Sequence, residues 1–144
     1  MKNTRLESKS KNIVQRLQRV PNSQQRLVAI AAAEWALHAN RLTDATFADA
    51  VQFINEHGSL SPEKKLELER LIDKFDSEYF DAQDADAPEA EVAQKFGKTR
   101  AVSALLFAGD ADSFTAAVEA IYEASVATEN ETSLLDLVIS LLPQ

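Results

Sequence analysis

The stretch SQQRLVAIAAAEWALHAN, residues 23–40, is apolar on nearly every side of a helix from Leu27 to Leu37. A helix of this kind needs other elements around it, so the stretch predicts a central, buried helix. Only three Gly and four Pro occur in 144 residues, and no run alternates apolar and polar residues convincingly as a strand does. The chain is therefore expected to fold as helices arranged around one core helix.

Apolar residues at helical spacing, separated by capping and breaking residues, divide the rest of the chain into further helices. They predict an all-α fold, a single-domain antiparallel array of about seven helices covering residues 1–144. The predicted segments are a basic N-terminal helix at about 5–20, the core helix, a third at about 44–57, a fourth from Ser61–Pro62 to about Tyr79 or Asp81, a fifth opened by Pro88, a sixth after GDADS, and SLLDLVISLL at the C-terminus.

Charge is distributed unevenly along the chain. Residues 1–26 carry seven basic residues and one acidic residue, a net charge of +6, whereas residues 27–144 carry eight basic and 22 acidic residues, a net charge of −14. Nucleic-acid affinity comes mainly from neutralising phosphates, so an acidic body disfavours direct binding to nucleic acid. It favours a basic protein partner, through electrostatic steering and complementarity.

The most acidic segment, FDSEYFDAQDADAPEAE at residues 75–91, carries no basic residue. A calcium loop starting at Asp84 would need an oxygen ligand at its fifth position and Glu at its twelfth, where Pro88 and Lys95 stand. Two interpretations stay open, a solvated helix–loop–helix corner and a partner-binding surface anchored by an aromatic residue. The candidate binding residues are Asp76, Glu78, Phe80, Asp81, Asp84, Asp86, Glu89 and Glu91.

Catalytic and metal-binding patterns are weak in this sequence. There is no Cys, the chain has only two His, and the Glu34-x-x-x-His38 pair has the wrong spacing for a di-iron bundle. No G-x-S-x-G, phosphate loop or dinucleotide motif occurs, so we expect no enzyme activity, no metal and no cofactor. Glu34 instead predicts a structural ion pair with Arg100, with Glu119 or Glu123 as second choices for the arginine.

Features of membrane insertion and export are also weak. The N-terminus MKNTRLESKSKNIVQRLQRV has no apolar core typical of a signal peptide. The longest apolar stretches fall well short of the roughly 20 residues that span a bilayer. We therefore expect a cytoplasmic location.

A small, Cys-free, acidic, all-helical chain without catalytic motifs resembles the immunity proteins of bacterial toxin systems, including those of contact-dependent inhibition. The segment KFGKTRAVSALLFAGDADSFTAAVEAIYEASVAT, residues 95–128, is also similar to helical hairpins of small bacterial proteins. The resemblance implies a protein that neutralises a cognate toxin, such as a basic nuclease, by blocking its active site or substrate surface. It transfers no site residues. The alternative is a helical structural or regulatory subunit that self-associates through the apolar C-terminal helix.

Overall fold

The computed structural model describes residues 4–143, and within this range the chain forms seven α-helices, one short 3-10 helix and no strand. The predicted all-α fold is confirmed. Lys2, one of the seven basic residues near the N-terminus, lies outside the described residues. The helices are α1 Lys11–Gln18, α2 Asn22–Ala39, α3 Ala45–His57, α4 Pro62–Asp84, α5 Glu89–Ala108, α6 Ser113–Val126 and α7 Glu131–Ser140, preceded by the 3-10 helix Arg5–Ser8.

Helices α2, α5 and α6 form the centre of the molecule, and hydrogen bonds at their ends fix their directions. Ser113 Oγ donates to Gln25 Oε1 (2.6 Å) where α2 and α6 begin, and Asn40 Nδ2 donates to the Ala127 carbonyl (3.0 Å) where both end. These two helices therefore run parallel. Arg26 at the start of α2 donates to the Ala108 carbonyl (2.7 Å) at the end of α5, so α5 runs the opposite way.

Helix α4 packs on the outer side of α5, to which it is joined by the short connection 85–88. The Leu60 N–H, just before α4, donates to the Gly109 carbonyl at the end of α5 (3.0 Å), so the two helices form an antiparallel hairpin. Helices α2, α4 and α6 consequently all end at the same end of the molecule, where α5 begins.

Small side chains dominate the interface of the three central helices. Alanines with no exposed surface are Ala29, Ala32, Ala33, Ala36, Ala101, Ala104, Ala108, Ala116, Ala117, Ala120 and Ala124. Small residues let helix backbones approach closely, which makes the core sensitive to added volume. Larger residues such as Leu105 and Ile121 fill the spaces between the helices.

Helix α2 is less completely buried than its sequence predicts. Leu27, Glu34 and His38 form an exposed stripe along one side of this helix. Glu34 therefore reaches solvent and needs no buried partner, which removes the reason for pairing it with Arg100.

Two predicted helix boundaries are corrected. The basic segment is not one helix over 5–20, because Ser10 has an extended backbone and its hydroxyl accepts the Ile13 N–H (3.2 Å), which caps α1. The 3-10 helix and α1 still bury Leu6, Ile13 and Leu17. Helix α4 continues past Asp81 to Asp84, because no breaking residue intervenes and Ala82 still packs on the protein.

Candidate partner-binding surface

The predicted binding residues lie on both arms of the α4–α5 hairpin. Asp76, Glu78, Phe80, Asp81 and Asp84 belong to the last turns of α4. Asp86 follows in the connection, where its φ of 52° places it in the left-handed region that Asp tolerates better than most residues. Glu89 and Glu91 lie in the first turn of α5. We call residues 76–91 the acidic tip.

Most carboxylates of the acidic tip face solvent without a basic neighbour. Asp76 and Glu78 are half-buried, and the other five are exposed. Among residues 4–143, none of the seven lies within 4.0 Å of a Lys, Arg or His nitrogen. The tip therefore keeps its negative charge uncompensated within the described chain.

The aromatic residues of the tip differ in their surroundings. The half-buried Tyr79 ring packs against Phe96 of α5 with centroids 5.5 Å apart, as expected for a residue that holds the hairpin together. The Phe80 ring meets the Tyr79 ring at a steep angle, with centroids 5.2 Å apart. Phe80 is 57% exposed, the highest exposure of any large hydrophobic residue in the described chain. An exposed Phe among carboxylates is typical of an interface anchor.

Helix dipoles distinguish the two groups of acidic residues. Asp81 and Asp84 lie in the last turn of α4, which is the negative end of its dipole and contains no basic residue. They are also like-charge neighbours, three residues apart on the helix. The first turn of α5 is the positive end of a dipole, where Glu89 and Glu91 are stabilising. Asp81 and Asp84 are therefore expected to destabilise the end of α4, where basic residues would be favourable. Residues that reduce local stability in this way are typical of functional sites.

The acidic tip projects beyond the central helices. Gly97 of α5 lies against Asn40 and the Ala127 carbonyl, the residues at which α2 and α6 end. Residues 89–96 of α5 therefore extend past that level, by about 12 Å at the rise of an α-helix. The end of α4 accompanies them, so the tip is a helical knob and not a flat part of the surface.

An open groove of about 800 Å³ lies beside this overhang, between α5 and the ends of α2 and α6. Deeper in the protein, one face of α5 packs on α2 and α6. The groove forms because α2 and α6 have ended at this level, so the same face of α5 is uncovered. Ala90, Ala93 and Gln94 line the α5 side, and the connection 127–130 lines the other. Sequence reasoning missed this groove, because it depends on the relative levels at which three helices end.

Arg100 forms its ion pair with Glu123 of α6, not with Glu34. The guanidinium Nη1 lies 3.2 Å from Glu123 Oε2, and the glutamate side chain is 3% exposed. Glu123 also accepts from Arg5 Nη2 (3.1 Å), and Arg5 binds Glu119 through Nε (3.2 Å). The predicted Glu34–Arg100 pair is thus corrected to the second-choice partner, and Arg5 is a member that the sequence pattern did not identify.

This ion-pair cluster fixes the N-terminal segment to α6. The Arg5 guanidinium also lies over the Tyr122 ring, 4.3 Å from its centroid. Burial works against the charged form of Arg5, but the hydrogen bonds and charges of Glu119 and Glu123 outweigh burial and raise the pKa of Arg5. The cluster holds two arginines and two glutamates in mutual compensation, as expected of a structural ion-pair network.

Other titratable side chains are scattered. Within residues 4–143, no three or more His, Asp or Glu side chains gather in a way that could hold a metal ion. Glu34 and His38 line a second, smaller cavity of about 190 Å³ between α2 and α3, together with Asp44 and apolar residues such as Phe47. His57 lies beside Glu56 on the surface (3.9 Å).

Comparisons with known proteins return no match to a family model, to a curated protein or to a solved structure. Across residues 4–143, no helix combines the length and apolar character that crossing a membrane requires.

Proposed function

We propose that this chain is a binding protein that neutralises a basic protein partner by covering its active site or substrate surface. The supporting observation is the acidic tip, whose carboxylates project from the body and have no ion-pair partner among residues 4–143. A bacterial toxin, such as a nuclease, is the partner that best fits the resemblance to immunity proteins. In that setting the chain would act in the bacterial cytoplasm and would have no catalytic role of its own.

Electrostatics explains why such a tip suits a nuclease. An enzyme that binds nucleic acid places Lys and Arg around its active site, because those residues neutralise phosphates. A projecting knob with several carboxylates offers the same charge to the same residues and accelerates association with them. Phe80 would supply the desolvated contact that long-range charge cannot provide.

Self-association through α7 is supported less well. Leu134, Val138 and Leu142 of the C-terminal segment belong to the hydrophobic core, and Leu135 and Ile139 pack against it. The apolar character of SLLDLVISLL is therefore largely accounted for by its packing on α6 and α2.

The test is capture of a partner from the source organism on the immobilised chain, followed by kinetic measurement with the purified partner. We expect a basic protein whose association slows as ionic strength rises. The triple variant D81K/D84K/D86K should weaken binding at least tenfold, equivalent to about 1.4 kcal/mol. Restored growth when chain and partner are co-expressed would link binding to neutralisation.

The matched control is E67K/E69K/D73K, which changes the net charge by the same amount on exposed residues of α4 that precede the tip. It should leave the dissociation rate close to that of the wild type. Equal losses in the two variants would mean that overall charge, and not the tip, controls binding. Unchanged binding by the tip variant would remove residues 81–86 from the interface and refute the proposed mechanism.

A further inference from the structure

The groove beside the acidic tip is separate from the exposed carboxylates of α4. Its volume of about 800 Å³ lies in the range of pockets that hold ligands, and its walls come from three parts of the chain. The alanines of α5 present short side chains there, so the groove is open along the helix.

Hydrogen bonds and close packing make the base of the groove rigid. Asn40 Nδ2 donates to the carbonyls of Ala36 (2.9 Å) and Ala127 (3.0 Å), which joins the ends of α2 and α6. Gly97 packs directly on this Asn40 side chain, where a larger residue would collide. The groove is therefore formed before anything binds, which limits the entropy lost on association.

The residues that line the groove carry a net negative charge. Among residues 4–143, no Lys, Arg or His lines it, whereas Glu91 and Glu129 lie on opposite walls and are exposed. The negative dipole ends of α2 and α6 point to the same space. Helices α5 and α7 begin here with positive ends. Within the described chain, Glu89 and Glu91 stand uncompensated in the first turn of α5, whereas Glu131 in the first turn of α7 is paired with Lys9 (2.8 Å).

We propose that this groove holds a Lys- or Arg-bearing segment of the basic protein partner while the acidic tip occupies the partner's cleft. This inference rests on the proposed function and adds a second contact to it. The aliphatic stem of a Lys or Arg would lie along Ala90 and Ala93, and its charged head would reach Glu91 or Glu129. The partner would thus contact the projecting hairpin at the acidic tip and along the groove face of α5.

In the experiment, hexalysine or hexaarginine peptide is titrated into the isotopically labelled full chain. Binding is detected as NMR chemical-shift changes of the backbone amides. We expect shifts at the groove residues Ala90, Ala93, Gln94, Thr128 and Glu129, beyond those caused by matched concentrations of NaCl.

The variant A93W fills the groove without changing its charge and should weaken peptide binding at least tenfold. Q94W serves as a second filling variant, and Q18W, at an exposed residue of α1, is the control.

The outcomes bear differently on this inference and on the proposed function. Shifts confined to residues 81–86, unaffected by both groove-filling variants but lost in D81K/D84K/D86K, would overturn the groove proposal and leave the tip proposal standing. Equal loss of binding in Q18W would also overturn it. Groove shifts with unchanged capture of the protein partner by A93W would refute the groove as a partner site. Absence of shifts at both tip and groove would count against both proposals.

Discussion

Arg100 and Glu123 form an ion pair across α5 and α6 in which the two partners differ sharply in burial. The Glu123 side chain is 3% exposed, whereas the Arg100 side chain is 37% exposed and stacks on Phe96, with its guanidinium carbon 5.1 Å from the ring centroid. Arg5 contacts the same carboxylate from the N-terminal segment. One buried negative charge is thus neutralised by two arginines that each keep contact with water.

This sharing predicts non-additive effects of removing the two arginines. In R5M or R100M alone, the remaining arginine still neutralises Glu123, so each variant should lose about 1 kcal/mol of unfolding free energy. In R5M/R100M the buried carboxylate is unpaired, and the loss should reach about 3–5 kcal/mol. Urea unfolding of all four proteins measures the coupling.

The control for this cycle is R19M, because Arg19 is exposed and forms no ion pair in the described chain. It should change the unfolding free energy by less than about 0.5 kcal/mol. Losses in the double variant that equal the sum of the single losses would contradict the shared neutralisation of Glu123.

A second prediction concerns Gly97, at the base of the groove. A Cβ at this position would collide with the Asn40 side chain and approach the Ala127 carbonyl oxygen to 2.9 Å, and that backbone atom cannot move freely. Alanine favours a helix over glycine by about 1 kcal/mol. Crowding in a packed site costs about 1–3 kcal/mol, so G97A should lower the unfolding free energy overall.

Thermal or urea unfolding measures the effect of G97A, with Q94A as the control in the next helical turn. Gln94 is exposed, so its replacement should be neutral or slightly stabilising. If G97A proved more stable than the wild type, the close contact between α5 and the ends of α2 and α6 would be disproved.

Helical periodicity was sufficient to predict the fold class and most helix positions, because Gly58 and Pro88 interrupt the chain where helices end or begin. The split of the basic segment was missed, because Ser10 caps a helix only if the preceding residues leave the helical path. The core position of α2 was predicted from its apolar residues, but not its exposed stripe, since composition does not reveal which side a neighbour leaves open.

The acidic tip was recognisable as a helix–loop–helix corner, because charge and the position of Pro88 are local features of the sequence. Its projection was not, because that depends on where α2 and α6 end relative to α5. The partner of Arg100 likewise depended on which helix packs against the arginine side of α5. Without that information, Glu34 and Glu123 could not be ranked correctly as candidate ion-pair partners.

The pH dependence of stability offers a third prediction, at the start of α6. The Asp112 carboxylate accepts from the Thr115 hydroxyl (2.6 Å) and the Thr115 N–H (2.9 Å), and these hydrogen bonds lower the pKa of Asp112 below its ordinary value of 3.8. A lowered pKa in the folded state gives stability that is present above the unfolded pKa and is lost as pH falls through the folded pKa.

The variant D112A should therefore lose about 1 kcal/mol of unfolding free energy at pH 7, as other helix caps do. The difference from the wild type should narrow below pH 3.8, as the wild-type carboxylate becomes protonated. Urea unfolding at pH 7, 4 and 2.5 measures this difference, with D49A, at an exposed residue of α3, as the control. A difference that stayed constant over this range would exclude a contribution from the ionised cap.

Charge reversal at the two arms of the acidic tip is expected to have opposite effects on the unfolding free energy. Asp81 and Asp84 oppose the dipole of α4, so D81K/D84K should raise the unfolding free energy by about 1 kcal/mol at low salt. Glu89 and Glu91 favour the dipole of α5, so E89K/E91K should lower it by a similar amount. Both differences should shrink in 1 M NaCl, where the screening length is about 3 Å. Urea unfolding at the two salt concentrations measures these effects.

A gain in stability together with weaker partner binding in D81K/D84K would mean that these carboxylates serve recognition at a cost to the fold. A loss of stability in that variant would show that the fold itself needs them, and would remove the argument from the helix dipole.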